Sequence, residues 1–318
     1  MRLPENWHKL PWLDVAALVC TVSATLILFL VLAVWQLPTW RKHLQPVAQH
    51  VIHYRLPVLA HYPEQYWFST SPRRSLDMNA RTPRYVTNAT PVSVPAGTPR
   101  IAIVIDDMGV ATELSQNMLD AMPKEVTMAF LPYGRTTLEM AQLARMKGHE
   151  IMIHLPMQPQ NPNVDPGPNA LFVEDDLTDI RVKIAKNIAR LKHISVGVNN
   201  HMGSAFTSYK DGMAQLFDIL RKERLFFLDS VTTTTPASQK LKYQYKFPII
   251  KRDIFLDHYI DADKVDEYLA ETEKKARKQG FAIAIGHPHV VTREALRKWI
   301  PTLQAKGIRL VPITNVLP

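Results

Sequence analysis

The sequence predicts an α/β fold, a (β/α) barrel of about seven parallel strands over residues 100–318, preceded by one transmembrane helix and a proline-rich tether. Three observations lead to this prediction. Apolar strand-like runs alternate with amphipathic helical runs from Arg100 onward, carboxylates and imidazoles follow the strands, and residues 15–35 carry no charge. Alternating strands and helices are typical of a parallel sheet with right-handed crossovers. An open doubly wound sheet remains the alternative, because hydrophobic periodicity does not show whether a sheet closes.

The uncharged N-terminal segment is long enough to cross a bilayer. At about 1.5 Å per residue, its 21 residues span roughly 30 Å, the thickness of the hydrocarbon layer. Tryptophans flank it on both sides, as at membrane interfaces: Trp7, Trp12, Trp35 and Trp40. A cleaved signal peptide is the alternative, but its apolar core has about 7–15 residues and ends at a small-residue cleavage site. We therefore expect a short tail over residues 1–14 and an uncleaved anchor over 15–37.

The next segment, residues 38–99, has the composition of a tether. It holds nine of the 24 prolines and seven basic against two acidic side chains, with little hydrophobic periodicity. Residues 100–318 carry 29 basic and 25 acidic side chains, so a dedicated nucleic-acid groove is not expected. The one cysteine, Cys20, lies in the predicted anchor, which excludes an intrachain disulfide.

The elements of the barrel follow in order along the chain. Helix 177–193 illustrates the pattern, because Ile180, Ile184, Ile188 and Leu191 recur at three- and four-residue spacing and mark one apolar face. The predicted strands are 100–106, 126–132, 150–156, 194–198, 225–230, 252–257, 281–286 and 308–313. The predicted helices are 111–122, 136–148, 177–193, 211–223, 262–280 and 293–307.

Polar side chains stand where these strands end. They are Asp106 and Asp107, His154, His201, Asp229 and Ser230, Asp257 and His258, and His287 and His289. The carboxyl ends of parallel strands share one rim, so these groups are expected to converge. Two histidines and a carboxylate suit a divalent ion with open coordination positions, and a further carboxylate and histidine can act as base and acid. A polar rim without chemistry is the alternative, since an aspartate after a strand is commonly a helix N-cap.

The segment "GVNNHMGSAF", residues 197–206, places His201 among residues that favour turns, so we expect this histidine on a loop after strand 194–198. The sequence lacks the motifs of two other classes of site, those for phosphate binding and for a serine nucleophile. There is no glycine-rich phosphate loop and no G-x-S-x-G nucleophile elbow.

Six motifs together resemble the divergent polysaccharide deacetylases, a branch of the carbohydrate esterase barrels. They are "IAIVIDDMG", "GHEIMIHLPMQP", "GVNNHMGSAFT", "FFLDSVTT", "RDIFLD" and "AIAIGHPH". The resemblance covers roughly residues 100–318 in the right order.

The resemblance implies a role for each of several residues. Asp106 corresponds to the catalytic base, Asp107 and His154 to metal ligands, and His287 to the general acid. The second family motif, Gly-His-Glu-(x3)-His-(x3)-His, departs here, because Gln158 stands in place of its last histidine. His201 is the expected replacement ligand. Substrate-binding or ligand-orienting roles are expected for the remaining polar residues, Asn199, Asn200, Ser204, Asp229, Asp257 and His289.

The function implied by the resemblance is a metal-dependent hydrolase, with zinc as the expected metal, that removes acetyl groups from an envelope polysaccharide or glycan. Basic residues flank both ends of the anchor, so charge alone does not orient it. The implied substrate places the domain in the periplasm, on a single-pass protein of the inner (cytoplasmic) membrane. The alternative function is a non-catalytic glycan-binding or envelope-partner module derived from a deacetylase.

Overall fold

The computed structural model describes residues 86–245 and 247–318, and its strands form one curled, parallel sheet. The strands are β1 Arg100–Met108, β2 Thr127–Phe130, β3 Ile151–Met157, β4 Ser195–Met202, β5 Phe226–Asp229, β6 Ile249–Lys251, β7 Ile254–Phe255, β8 Phe281–Gly286 and β9 Arg309–Leu310. The α-helices within the described ranges are α1 Thr112–Ala121, α2 Thr137–Met146, α3 Leu177–Ala189, α4 Lys210–Glu223, α5 Ala237–Leu241, α6 Ala262–Gln279 and α7 Val290–Trp299.

The strand order favours the barrel over the doubly wound sheet. The order is β6-β5-β4-β3-β2-β1-β8-β7, with β9 beside β1, and it has no point at which the direction of winding reverses. The two end strands are consecutive in sequence and joined by Arg252 and Asp253. The backbone N–H of Arg252 donates to the carbonyl of Asp229 on one edge (2.9 Å), and that of Asp253 donates to Ile283 on the other (2.8 Å). One extended segment therefore bonds to both edges of the curled sheet.

Apolar side chains pack on both faces of this sheet, because successive residues of a strand point to opposite sides. In β1, Ile101, Ile103 and Ile105 belong to the cluster that includes the helices. Ala102 and Val104 belong to a second cluster made of strand residues and the two terminal segments. The near-continuous apolar composition of the strands is thus explained by burial on both faces.

Helix ends follow local signals. Asp176 caps α3 by accepting from the backbone N–H groups of Thr178 and Asp179 (both 2.8 Å). Helix α6 ends at Gly280, whose φ of 87° is the left-handed conformation that favours glycine. Helix α7 ends at Trp299, whereas the sequence predicts a helix through 307, because Pro301 cannot continue an α-helix.

Residues 86–99, which the sequence assigns to the tether, are bonded to the amino ends of the strands. The buried carboxylate of Glu150 accepts from the backbone N–H of Thr90 (2.8 Å) and from that of Thr314 (3.0 Å). The side-chain amide of Asn88 donates to the carbonyl of Ser195 (3.0 Å). The folded domain therefore begins at or before Val86 rather than at residue 100.

Three further predictions have outcomes here. His201 is the next-to-last residue of strand β4 and does not lie on a loop. The short elements β6 and α5 were not predicted from the sequence. Among the residues that the structure describes, no helix is both long and apolar enough to cross a bilayer. The predicted tail (1–14), anchor (15–37) and remaining tether (38–85) lie outside the described residues.

Candidate metal centre and active site

Three side chains from three strands bring one ligand atom each to a single point. Asp107 Oδ1 lies 3.0 Å from His201 Nδ1 and 3.2 Å from His154 Nε2, and the two histidine nitrogens are 3.2 Å apart. We call this triangle the metal cluster. Asp107 and His201 are each one residue from the end of their strands, β1 and β4, and His154 is the central residue of β3. The predicted convergence of the three side chains is observed.

Strand register explains how residues distant in sequence meet. In β3 and β4, His154 pairs with Asn199 and Pro156 with His201. Side chains alternate along a strand, so His201, two residues beyond Asn199, lies on the same face as His154. The pairing of β1 with β2 shifts between Ile105 and Met108, and Asp107 has a φ of 56°. Such irregularities redirect side chains beside functional sites.

The turn after His201 is fixed by polar contacts. The side-chain amide of Asn200 and the hydroxyl of Thr232 both donate to the carbonyl of Met202 (2.7 and 2.9 Å). Met202 has a φ of 53° and Gly203 one of 86°, and a Cβ at Gly203 would lie 2.9 Å from the Cβ of Met157. The glycine is therefore required for this turn, and the amide of Asn200 holds it rather than facing a ligand.

The metal cluster fits a divalent cation. Atoms bound at about 2.0–2.1 Å to a tetrahedral zinc ion lie about 3.3 Å apart, close to the observed separations. Among the described residues Asp107 Oδ1 is buried without a hydrogen-bond partner of good geometry. Burial alone would raise the pKa of Asp107, but His154 and His201 hold it far below its ordinary value. One carboxylate and two imidazoles suit zinc and related transition metals.

Asp106 stands beside the metal cluster without belonging to it. It is 2% exposed, and the amide of Asn199 donates to both of its oxygens (2.8 and 2.9 Å). Its Oδ2 lies 3.6 Å from His154 Nε2. Burial raises the pKa of Asp106 above its ordinary value, although the charges of His154 and His287 oppose this. Asn199 is fully buried, so it orients this carboxylate and does not contact a substrate.

His287 forms a second pair across the site. Its Nδ1 donates to Asp257 Oδ1 (2.9 Å), and its backbone N–H and the hydroxyl of Thr292 donate to Asp257 Oδ2 (2.6 and 2.7 Å). Its Nε2 faces the cluster, 3.9 Å from Asp107 Oδ2. Burial alone would lower the pKa of His287, but the bond to Asp257 and the nearby carboxylates raise it to about 9. The imidazole is therefore protonated at neutral pH.

The family model of the divergent polysaccharide deacetylases matches residues 103–317. The chain belongs to this family.

The chain matches two curated proteins and one solved structure over most of their length. The chain is 34% identical to the uncharacterized protein YibQ of Escherichia coli K12, over 71% of this chain and 70% of that protein. It is 35% identical to an uncharacterized protein of Haemophilus influenzae Rd, over 68% and 76% respectively. The crystal structure of uncharacterized protein ATU2773 from Agrobacterium tumefaciens C58 is similar, with 26% identity, a TM-score of 0.67 and coverage of 72% and 92%.

Gln158, the departure from the family motif, has a different set of contacts. Its side-chain amide donates to Glu174 (3.0 Å) and accepts from the backbone N–H of Val173 (2.7 Å). Its backbone carbonyl accepts from Ala205 (3.1 Å), in the turn that follows His201. Gln158 therefore joins the long β3–α3 loop to the His201 turn.

Three other residues expected at the site make contacts outside the metal cluster. Ser204 accepts from the backbone N–H of Gln160 (2.8 Å) and so joins two loops. Asp229 accepts from Ser238 and from the backbone N–H of Val231, and these bonds fix the β5–α5 loop. The ring of His289 lies 5.8 Å from that of His287, and His289 groups with His287 and Asp257 as a second set of ligand atoms.

Residues that the sequence did not single out also support the site. The ring of Phe255 lies 5.4 Å from that of His287. The guanidinium of Arg252 lies over the ring of Phe255, 5.0 Å from its centre. Arg252 also donates to the carbonyls of Ser230 (2.8 Å) and Val231 (3.2 Å). Val231 has a φ of 54°, uncommon for a β-branched residue, so Arg252 fixes a strained turn at the rim. Both residues lie in the motif "RDIFLD", but nothing in its pattern predicts these contacts.

Proposed function

We propose that this protein is a metal-dependent hydrolase that removes acetyl groups from an envelope polysaccharide or glycan. One observation carries the proposal: three ligand atoms within 3.2 Å of one another lie beside a buried carboxylate and a carboxylate-paired histidine. A base, a metal site and an acid next to one another are what hydrolysis of an acetyl group requires.

Each group of the chain has a distinct part in the proposed reaction. A divalent cation held by Asp107, His154 and His201 would supply Lewis-acid polarisation of the acetyl carbonyl and lower the pKa of water. Asp106 accepts the proton of the attacking water, and its raised pKa favours that transfer. Protonated His287 gives its Nε2 proton to the departing amine or alkoxide, while Asp257 holds Nδ1 and fixes the tautomer. Asn199 keeps the carboxylate of Asp106 in one orientation.

The test is acetate release by the purified full-length protein loaded with zinc. We expect turnover of N-acetylated chito-oligosaccharides or of O-acetylated xylan, and loss of turnover after chelation. Asp106→Asn, which preserves shape and leaves the three ligands in place, should retain zinc and lose at least about a hundredfold in rate, the usual contribution of a general base. Zinc binding without acetate release from any acetylated glycan would contradict the proposal.

A second candidate is the non-catalytic glycan-binding module, and one observation favours it. His154 Nδ1 is buried and has no hydrogen-bond partner in the described part of the chain, whereas metal-bound histidines usually donate their other N–H to an oriented acceptor. This function predicts that acetylated glycans bind equally well to the wild-type and Asp106→Asn proteins, without acetate release.

We further propose that the domain lies in the periplasm on a single-pass anchor in the inner membrane. The support is the uncharged 21-residue run between the tryptophans. Protease added to intact spheroplasts should digest residues 100–318. Protection until lysis would contradict this topology.

A further inference from the structure

The barrel is electrically polar along its axis. The carboxyl ends of the strands and the loops that follow them form the rim around the metal cluster, and they hold nine carboxylates and three basic side chains, Arg135, Lys251 and Arg252. The carboxylates are Asp106, Asp107, Asp165, Glu174, Asp175, Asp176, Asp229, Asp257 and Asp261.

The opposite end has the reverse charge. We define the amino-end face as the segments 86–100, 122–126, 147–150, 190–194, 224–225, 242–245 and 303–309, which precede the strands. It holds nine basic side chains and two carboxylates, of which Glu150 is buried. The guanidinium of Arg190 donates to the carbonyl of Pro132 (3.3 Å), in the loop after β2, so its charge lies away from this face. Three of the lysines form ion pairs with carboxylates of neighbouring helices: Lys147 with Asp120, Lys192 with Glu223 and Lys306 with Glu273. The basic residues are Arg100, Lys124, Lys147, Arg190, Lys192, Arg224, Lys242, Lys306 and Arg309.

Helix capping accounts for only part of this charge. Cations near the last turn of a helix complement its free carbonyl groups, and Arg224 and Lys242 occupy such positions. Lys124 and Arg309 lie beyond the α-helices and are exposed, so the helix dipole does not explain them. The net positive charge is a property of the whole face.

The N-terminal part of the chain also enters the domain at this face. Asn88 bonds to the α3–β4 connection, and Thr90 bonds to Glu150 at the start of β3. The 85 residues before Val86, which contain the predicted anchor, therefore join the domain at its basic end. A covalent anchor limits the distance of a domain from a membrane, whereas its charge distribution sets the orientation.

We propose that the amino-end face binds an anionic phospholipid surface and thereby turns the rim and its metal cluster away from the membrane. Basic residues near such a surface each contribute about 1 kcal/mol, which is roughly a fivefold factor in association. The carboxylates of the rim are repelled by the same surface, so attraction and repulsion favour one orientation. The attraction acts within about 10 Å at ordinary ionic strength. This inference does not depend on acetyl hydrolysis.

The experiment reports the orientation of the full chain on vesicles. Cys20→Ser provides a background free of cysteine, into which single cysteines are introduced by Tyr243→Cys on the amino-end face or Val110→Cys on the rim. Both native side chains are exposed, at 89% and 50%. An environment-sensitive fluorophore on each cysteine is quenched by spin-labelled lipid. On phosphatidylglycerol vesicles we expect quenching at 243 but not at 110, and loss of that contrast at high salt or on phosphatidylcholine.

Matched charge reversals test whether the named face is responsible. Lys124→Glu, Arg224→Glu and Arg309→Glu together should weaken surface association by more than about a hundredfold, from three factors of roughly five. The control set Lys210→Glu, Lys251→Glu and Lys264→Glu makes the same change in net charge away from this face and should preserve the contrast. Equal quenching at both positions, or equal effects of the two sets, would overturn the proposal. So would binding of the protein to a soluble polyanion with no quenching at 243 on phosphatidylglycerol vesicles.

Discussion

Replacing His201 with alanine removes one of the three ligand atoms of the metal cluster. A structural zinc site with four protein ligands binds with about 10–16 kcal/mol, so one ligand is worth roughly 3–4 kcal/mol. We therefore expect His201→Ala to bind zinc roughly 10²–10³-fold more weakly than the parent protein, at about 1.4 kcal/mol per tenfold change. Competition with a chromogenic chelator measures this ratio.

The same substitution should change the fold little. His201 lies at the rim, outside both apolar clusters, and its side chain contacts the polar atoms of Asp107 and His154. We expect a native circular dichroism spectrum and, for the metal-free protein, a change of at most about 1 kcal/mol in the free energy of unfolding.

His289→Ala is the matched control, because it removes an imidazole from the rim but leaves the metal cluster intact. Its zinc affinity should equal that of the parent protein. If His201→Ala bound zinc as tightly as the parent and His289→Ala did not, the metal would belong to the group of Asp257, His287 and His289. The ligand assignment would then be wrong.

Three further predictions concern other parts of the domain. Asp257→Asn should reduce a pH dependence of metal-free stability. The raised pKa of His287 stabilises the fold fully below the ordinary histidine value of 6.5, and this contribution is lost as pH rises through about 9; Asp257 supplies the largest part of the rise and Asp106 and Asp107 the rest. Urea unfolding of both proteins at about pH 5.5 and about pH 10, one unit beyond each limit, measures it, and parallel profiles would refute it. Glu150→Ala leaves the buried N–H of Thr314 without its acceptor, so the free energy of unfolding should fall by about 2–4 kcal/mol. Zinc affinity should not change. A loss of stability below about 0.5 kcal/mol would show that Glu150 does not hold the terminal segments. Zinc affinity should rise with pH. The carboxylates of Asp106 and Asp107 raise the pKa of His154, although its burial lowers it, and the imidazole must lose its proton before it binds a metal. An affinity that stays constant from pH 5 to pH 8, about the range in which histidine titrates, would contradict the assignment of His154 as a ligand.

Much of the barrel was predictable because its strands are buried on both faces. Residues 101–105 of β1 and 281–285 of β8 are apolar throughout, and this is visible in the sequence without knowledge of their neighbours. Strand β6 was missed because it has only three residues and follows Pro248, so it shows neither length nor periodicity. The position of residues 86–99 was also missed, because its hydrogen bonds go to residues more than 50 positions away.

For the site, the sequence predicted which residues meet but not what each contacts. The predicted strand-end positions of Asp107, His154 and His201 are enough to place them on one rim. That Asn199 faces Asp106 depends on the register of β3 with β4, which is set by pairing across the sheet. The same register places His201, expected on a loop, inside a strand. Contacts of this kind require the three-dimensional structure.

The position of a bound metal tests the account most directly. Crystals of the protein grown with zinc should give one anomalous peak at the zinc absorption edge. We predict that it lies about 2.0–2.2 Å from Asp107 Oδ1, His154 Nε2 and His201 Nδ1, with the carboxylate of Asp106 outside the coordination sphere. A peak between Asp257, His287 and His289, or no peak at any site in a crystal grown with excess zinc, would contradict the account.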